Sequence, residues 1–173
     1  MEVKIVKISQ MDDVLKDVLK SVWGVDSKMN MRKLFGSNDS ILEVQEYYAV
    51  CTVPRSVALQ IETHKKKHRS YMWLGTARPD RADRVKGEYS REQLIPMAIL
   101  FTPRWIKEVS HYRMCTKAEA PTREFMKLFK EELAKVEPAL AEQMMPMCEF
   151  RNGLCTEFGS CGKYKKENKD ENI

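Results

Sequence analysis

No apolar run in this 173-residue chain is long enough to cross a bilayer, and its first stretch, MEVKIVKISQMDD, reaches acidic residues by Asp12. Neither a transmembrane helix nor a signal peptide is therefore expected, and the expected location is the cytoplasm. No internal repeat and no recognised nucleic-acid-binding signature is visible. A strong charge of one sign is also missing: 30 Lys and Arg against 25 Asp and Glu leave a net charge of +5 and a pI near 8.9. That balance suits small anions and does not require nucleic acid. The basic run from His64 to Arg69 keeps a small nucleic-acid-binding domain as the lowest-ranked alternative, one that would show steeply salt-dependent DNA affinity.

Paired C-x-x-C cysteines are absent as well. The five cysteines are an odd number, and cytoplasmic thiols stay reduced, so a disulfide framework is not expected. Cys148, Cys155 and Cys161 together admit a structural zinc reading, but their spacing lacks the knuckle that makes such a reading specific, and no metal is assigned.

What the chain does have is enough apolar content, 43%, for one sizeable core. A single domain over residues 1–162 is expected, followed by a tail, KYKKENKDENI, too poor in apolar residues to fold. Val3 to Ile8 reads as a first strand. Met11, Val14, Leu15, Val18, Leu19 and Val22 then fall on one helical face, with Gly24 as the stop. Residues 41–53, around YYAVCTV, read as at least one strand. Pro54 introduces a helix with Val57, Ala58, Ile61 and His64 along one side and Lys65 to Lys67 in its last turn. Residues 69–87 read as a long functional loop in which Tyr71 and Trp73 either stack on a planar ligand or pack down to close the loop. Residues 94–113 read as mostly helical, interrupted at Pro96 and Pro103. Phe125, Leu128, Phe129, Leu133 and Val136 give an amphipathic helix ending before Pro138, and a shorter helix follows through Leu140 and Met144. The methionines, Met97, Met126 and Met144 among them, read as core or interface filler. The fold class expected is α+β, a small, mostly antiparallel sheet flanked by helices.

The most informative stretch is HYRMCTKAEAPTR, residues 111–123, which sets two arginines ten residues apart. A guanidinium is permanently charged and forks two hydrogen bonds toward phosphate or carbonyl oxygens, so such a pair beside a cleft makes a nucleotide clamp. A pair of solvated helix residues is the plainer alternative. The stretch resembles the N-x-R-x-C-x-x-A-Q-x-E-I-R pattern of flavin-dependent thymidylate synthases. Arg113, Cys115, Ala118 and Arg123 are in register, while His111, Glu119 and Pro121 replace the asparagine, glutamine and glutamate. A second family pattern, Q-x-x-R-H-R followed by S-x-R-Y, is met by Gln60, His64 and Lys65, with Thr63 at the first arginine, and then by Thr76 and Arg78, with Pro79 at the tyrosine. A third, S-x-L-E-H, appears as Ser40, Leu42 and Glu43, with Val44 at the histidine.

The resemblance implies a homotetramer with active sites between subunits. It also implies flavin adenine dinucleotide (FAD) as cofactor, methylenetetrahydrofolate as carbon donor, NADPH as reductant, and conversion of dUMP to dTMP. It assigns the flavin to Ser40, His64, Lys65, His111 and Arg113. The deoxynucleotide falls to Gln60, Thr76, Arg78, Glu119 and Arg123, with Arg123 also activating the base. An ionised carboxylate only accepts hydrogen bonds, so Glu119 in place of glutamine opens a preference for the amino-bearing edge of dCMP, unless it simply pairs with Lys117 or Arg123. A nucleotide-binding homologue with altered catalysis is the alternative from another class.

Overall fold

The protein is described from a computed structural model, over residues 1–8, 12–24, 30–37, 40–64, 67–75 and 90–164. A four-stranded antiparallel sheet in the order β1-β2-β4-β3 forms its centre, built from β1 (Glu2–Lys7), β2 (Tyr47–Pro54), β3 (Tyr71–Leu74) and β4 (Leu94–Phe101). The helices are α1 (Asp12–Trp23), α2 (Met31–Gly36), α3 (Arg55–Glu62), α4 (Pro103–Arg113), α5 (Ala120–Val136), α6 (Pro138–Ala141) and α7 (Met147–Phe150). The expected α+β class, with an antiparallel sheet flanked by helices, is what the chain forms.

The register explains the core. Ile5 lies opposite Ala49, Ala49 opposite Ile99, and Ile99 opposite Met72, so alternate residues of all four strands share one face. Helix α5 lies on that face, where Phe129 meets Phe101 edge-on at 5.3 Å and Phe125 at 5.7 Å. Tyr47, Ile99, Phe101 and Leu133 are fully buried there. The end of α5 is tied to the sheet by Glu137, which accepts from Lys7 Nζ at 3.0 Å and from the Tyr47 hydroxyl at 3.3 Å.

The opposite face of the sheet is also apolar. Val6, Val50, Leu94, Tyr71 and Trp73 lie on it and are exposed, and the Tyr71 and Trp73 rings stack at 6.4 Å.

Several expectations are met closely. The first strand and helix form, and Gly24 ends α1 in the left-handed conformation at φ +62°. Helix α5 stops before Pro138. Others need correction. Residues 94–101 are a strand rather than the start of a helix. Ile95, Met97, Ile99 and Phe101 face the core while Leu94, Pro96, Ala98 and Leu100 face away, and because both sets are apolar the period of two is hidden in the composition. Pro96 is tolerated because β3 ends opposite Met97; past that point its carbonyl accepts from Gly75 N–H at 2.7 Å and its missing N–H faces no strand.

The long loop expected from residue 69 opens with β3, so Tyr71 and Trp73 sit on a strand; residues 76–89 lie outside the described residues. The strand expected within residues 41–53 forms as β2 from Tyr47, and Ser40–Glu43 before it form a short 3-10 turn. Pro54 is the last strand residue and caps α3 instead of lying within it. Helix α3 ends at Glu62 and Lys67 lies beyond it, while Lys65 and Lys66 are outside the described residues. The tail from residue 165 is outside them too.

Gly75 passes so close to β4 that an added Cβ would fall 2.6 Å from Pro96 Cδ and 3.0 Å from its carbonyl oxygen. Gly75→Ala is expected to destabilise the fold by about 1–3 kcal/mol, the usual range for overpacking, measurable by urea denaturation.

Candidate functional site

Helix α4 starts at Thr102, whose hydroxyl caps the Trp105 N–H at 3.4 Å and donates to the His68 carbonyl at 2.8 Å. The chain leaving α3 is thereby laid along α4. The buried Trp105 indole N–H donates to the His64 carbonyl at 2.8 Å. Glu108 binds His68 Nε2 at 2.6 Å and Lys67 Nζ at 2.8 Å. Burial pushes the Glu108 carboxyl up, but the bonds from Lys67 and His68 outweigh it and hold its pKa below the usual value. On the other side of the His68 ring, Nδ1 meets Glu43 at 3.1 Å, and Arg104 meets the same carboxylate at 2.9 Å.

At the end of α4 this arrangement brings two of the expected site residues into contact. Arg113 Nε donates to His64 Nε2 at 3.2 Å, and its Nη2 donates to the Thr63 hydroxyl at 3.0 Å. Tyr112 stacks on the His64 ring at 5.9 Å. An arginine only donates, so His64 Nε2 carries the lone pair and the ring is neutral with its proton on Nδ1. Burial first, then the charges of Arg113 and Lys67, push the His64 pKa down to about 4. That Nδ1 is buried and has no partner among the described residues.

It is one of a row. Ser56 Oγ and Gln60 Oε1 are likewise buried without partners; they lie four residues apart on one side of α3, and His64 follows just past its end. Two neighbouring segments add to the row. Arg55 and Ser56 N–H donate to the Gln93 and Arg91 carbonyls, each at 2.9 Å, and both side-chain polar atoms of Gln93 are unpartnered. Arg91 in turn meets Glu119 at 3.5 Å, just before α5, whose buried Thr122 hydroxyl is also unpartnered. Buried polar atoms normally find partners. Five side chains of this region thus hold buried polar atoms that no described residue meets.

The remaining expected residues divide as follows. Arg123 sits at the start of α5 and donates to the backbone carbonyls of Thr116 at 3.0 Å and of Ala118, so the two arginines bracket the 114–119 loop from either end. Glu119 pairs with Arg91, not with Lys117 or Arg123. Ser40 is exposed at the start of the 3-10 turn, which joins the rest through Glu43. His111 packs its ring against Phe150 at 4.8 Å, tilted by 37°, and is buried with Nε2 unpartnered among the described residues. Burial, then the charge of Lys107, pushes its pKa down to about 4. Lys65, Thr76 and Arg78 lie outside the described residues. Ser56, Gln93 and Thr122 escaped the sequence reading; a serine and a glutamine four residues apart on the otherwise apolar face of α3 were the available signal.

Four of the five cysteines, Cys115, Cys148, Cys155 and Cys161, line one small cavity beside His111. Among the described residues no group of three or more His, Cys, Asp or Glu side chains is arranged to hold a metal ion. No helix among them is long and apolar enough to cross a membrane.

The fold that carries this site is that of the flavin-dependent thymidylate synthases. Two crystal structures of Thymidylate Synthase X (ThyX) from Helicobacter pylori, both with FAD and dUMP, superpose on it. One has a TM-score of 0.60 at 10% identity over 83% of this chain and 97% of that one. The other has 0.62 at 9% identity over 82% and 99%. At such identity the likeness is one of fold. No family model and no curated protein matches the sequence.

The two buried histidines set a pH dependence. Their folded-state pKa values, about 4, lie below the ordinary 6.5, so between pH 6.5 and 4 the unfolded chain binds more protons than the folded one. Stability is fully present above pH 6.5 and falls as pH drops through that window, by up to about 1.4 kcal/mol per pH unit for each histidine. Urea unfolding at pH 7, 6 and 5 should show the fall, and His64→Gln or His111→Gln should each flatten it by about one proton.

Proposed function

We propose that this protein is a divergent flavin-dependent thymidylate synthase that methylates C5 of a pyrimidine deoxynucleotide, converting dUMP to dTMP with methylenetetrahydrofolate and NADPH. The observation that carries the reading is the contact of Arg113 with His64. These residues come from two separate sequence patterns of the family, and they meet at the end of the seam of unpartnered polar atoms on a shared fold. The residues fit a flavin nucleotide in this respect: Gln60, His64 Nδ1, Gln93 and Thr122 hold hydrogen-bonding capacity that nothing else in the described chain uses. When bound, FAD supplies the redox chemistry and the carbon transfer that no side chain here provides.

The chain's own residues bind, orient and polarise. Arg113 and His64 hold the flavin, with Ser40, Lys65 and His111 assigned to the same cofactor by the family pattern. Gln60, Thr76, Arg78 and Glu119 hold the deoxynucleotide. Arg123 releases the carbonyls of Thr116 and Ala118 and turns its guanidinium to the pyrimidine carbonyl, drawing charge toward the oxygen and making C5 more nucleophilic. No protein nucleophile takes part; the buried Cys51 thiol, pushed up to about 12 by its surroundings, is inert at neutral pH. The exposed apolar sheet face around Val50, Tyr71 and Trp73 supports a homotetramer with shared active sites, since a face of that kind marks association.

Thr63 favours a second reading. It stands where the family has an arginine and receives a hydrogen bond from Arg113, so the site has one fixed charge fewer for a phosphate. A homologue that binds the nucleotide without methylating it would fit that loss, and Glu119 leaves dCMP as the ligand to compare with dUMP.

The absorption spectrum of purified protein supplied with FAD is the test. Flavin bands that weaken at least tenfold in titration with Arg113→Ala are expected, as is a dTMP-forming rate lowered about a hundredfold in Arg123→Ala. A colourless protein that takes up no flavin would overturn the enzyme reading. Calorimetry would then separate the alternatives: tight dUMP or dCMP binding selects the nucleotide-binding homologue, and equal affinity for the two removes any role for Glu119 in base choice.

A further inference from the structure

The side of α4 away from Arg113 lines a second cleft, which the flavin and deoxynucleotide reading uses only through His111. Its volume is about 310 Å³, at the small end of ligand pockets. Arg104, Lys107 and His111 follow one another along α4 at three- and four-residue spacing, so they look into the same space, and Phe150 and Arg151 close it from the end of α7.

The wall is cationic. Arg104, Lys107 and Arg151, with Lys67 beside them, stand against two carboxylates, Glu108, held by Lys67 and His68, and Glu43, which accepts from Arg104 at 2.9 Å; leaving His68 aside, two positive charges remain. Two of the polar groups are buried. Lys107 is 2% exposed and donates one hydrogen bond, to the Ser37 carbonyl, which leaves its ammonium with two further donors. A buried ammonium with donors to spare is costly unless something anionic meets it. Burial and the nearby Arg104 push its pKa down to about 8, so it still carries its charge at neutral pH. His111 is 7% exposed, and its Nε2 has no partner among the described residues. The Phe150 ring, 5.8 Å below the Lys107 ammonium and against the His111 ring, gives the cleft a firm apolar floor.

We propose that this cleft binds the phosphate group of a small dianionic ligand, with Arg104 and Arg151 as forked donors, Lys107 as the buried charge and His111 Nε2 as the remaining hydrogen-bonding atom. Two net positive charges match a phosphate monoester dianion better than a single carboxylate. The site lies on the opposite side of α4 from the His64 and Arg113 contact and shares only His111 with the flavin reading.

Inorganic phosphate titrated into the full chain at constant ionic strength tests the proposal by calorimetry, with the His111 ring nitrogen resonances followed by NMR. Saturable binding that moves those resonances is expected. Arg151→Ala, an exposed position whose loss leaves the fold intact, should weaken phosphate about tenfold while leaving FAD and dUMP titrations unchanged. Absence of saturable binding, or equal affinity in Arg151→Ala and the unaltered protein, would overturn it. So would loss of phosphate binding in Arg113→Ala alone, which would place the anion in the nucleotide seam.

Discussion

Everything at the candidate site depends on how the segment after α3 is fastened along α4. The Trp105 indole donates to the His64 carbonyl in a dry interior, where a hydrogen bond left unmade would cost more than the net gain of making it. Thr102, Glu108 and Arg113 add attachments along the helix. Helix α4 therefore sets where His64 sits and which tautomer it adopts. Removing any one attachment would loosen the others, since they share a short stretch of chain.

The two faces of the sheet divide the labour. The inner face is filled by Phe101, Phe125 and Phe129 and supplies the rigidity on which α4 and α5 rest. Polar residues that belong to no secondary-structure pairing are displaced to the margins, where α3, the turn at residues 90–93 and the start of α5 meet. Several of the buried donors and acceptors that lack partners among the described residues lie there, at the border of the core.

The sequence was readable where one signal dominated. Strand β1 shows its alternation, α1 its face and its terminal glycine, and α5 its five apolar positions before Pro138. Strand β4 was hidden because apolar residues on both faces erase the period and Pro96 suggests a broken helix; only the end of β3 next to it makes that proline harmless. The meeting of His64 with Arg113 was foreshadowed by two separate motifs, although nothing in either stretch says that Arg113 would also take the Thr63 hydroxyl. The clamp of Glu43 and Glu108 on His68 was not readable at all, because those three residues are brought together only by the packing of the 3-10 turn and the 67–70 segment on α4. The unpartnered atoms of Gln93 and Thr122 escaped for the same reason: burial without a partner is a property of three-dimensional surroundings and leaves no mark in a linear pattern.

His68 and Arg69 both adopt left-handed backbone conformations, at φ +46° and +58°, where a residue with a Cβ is held at a cost of about 1–2 kcal/mol. Glycine would have made this bend supple. With a histidine held between the carboxylates of Glu43 and Glu108 in its place, the bend that leads into β3 is a fixed corner rather than a hinge.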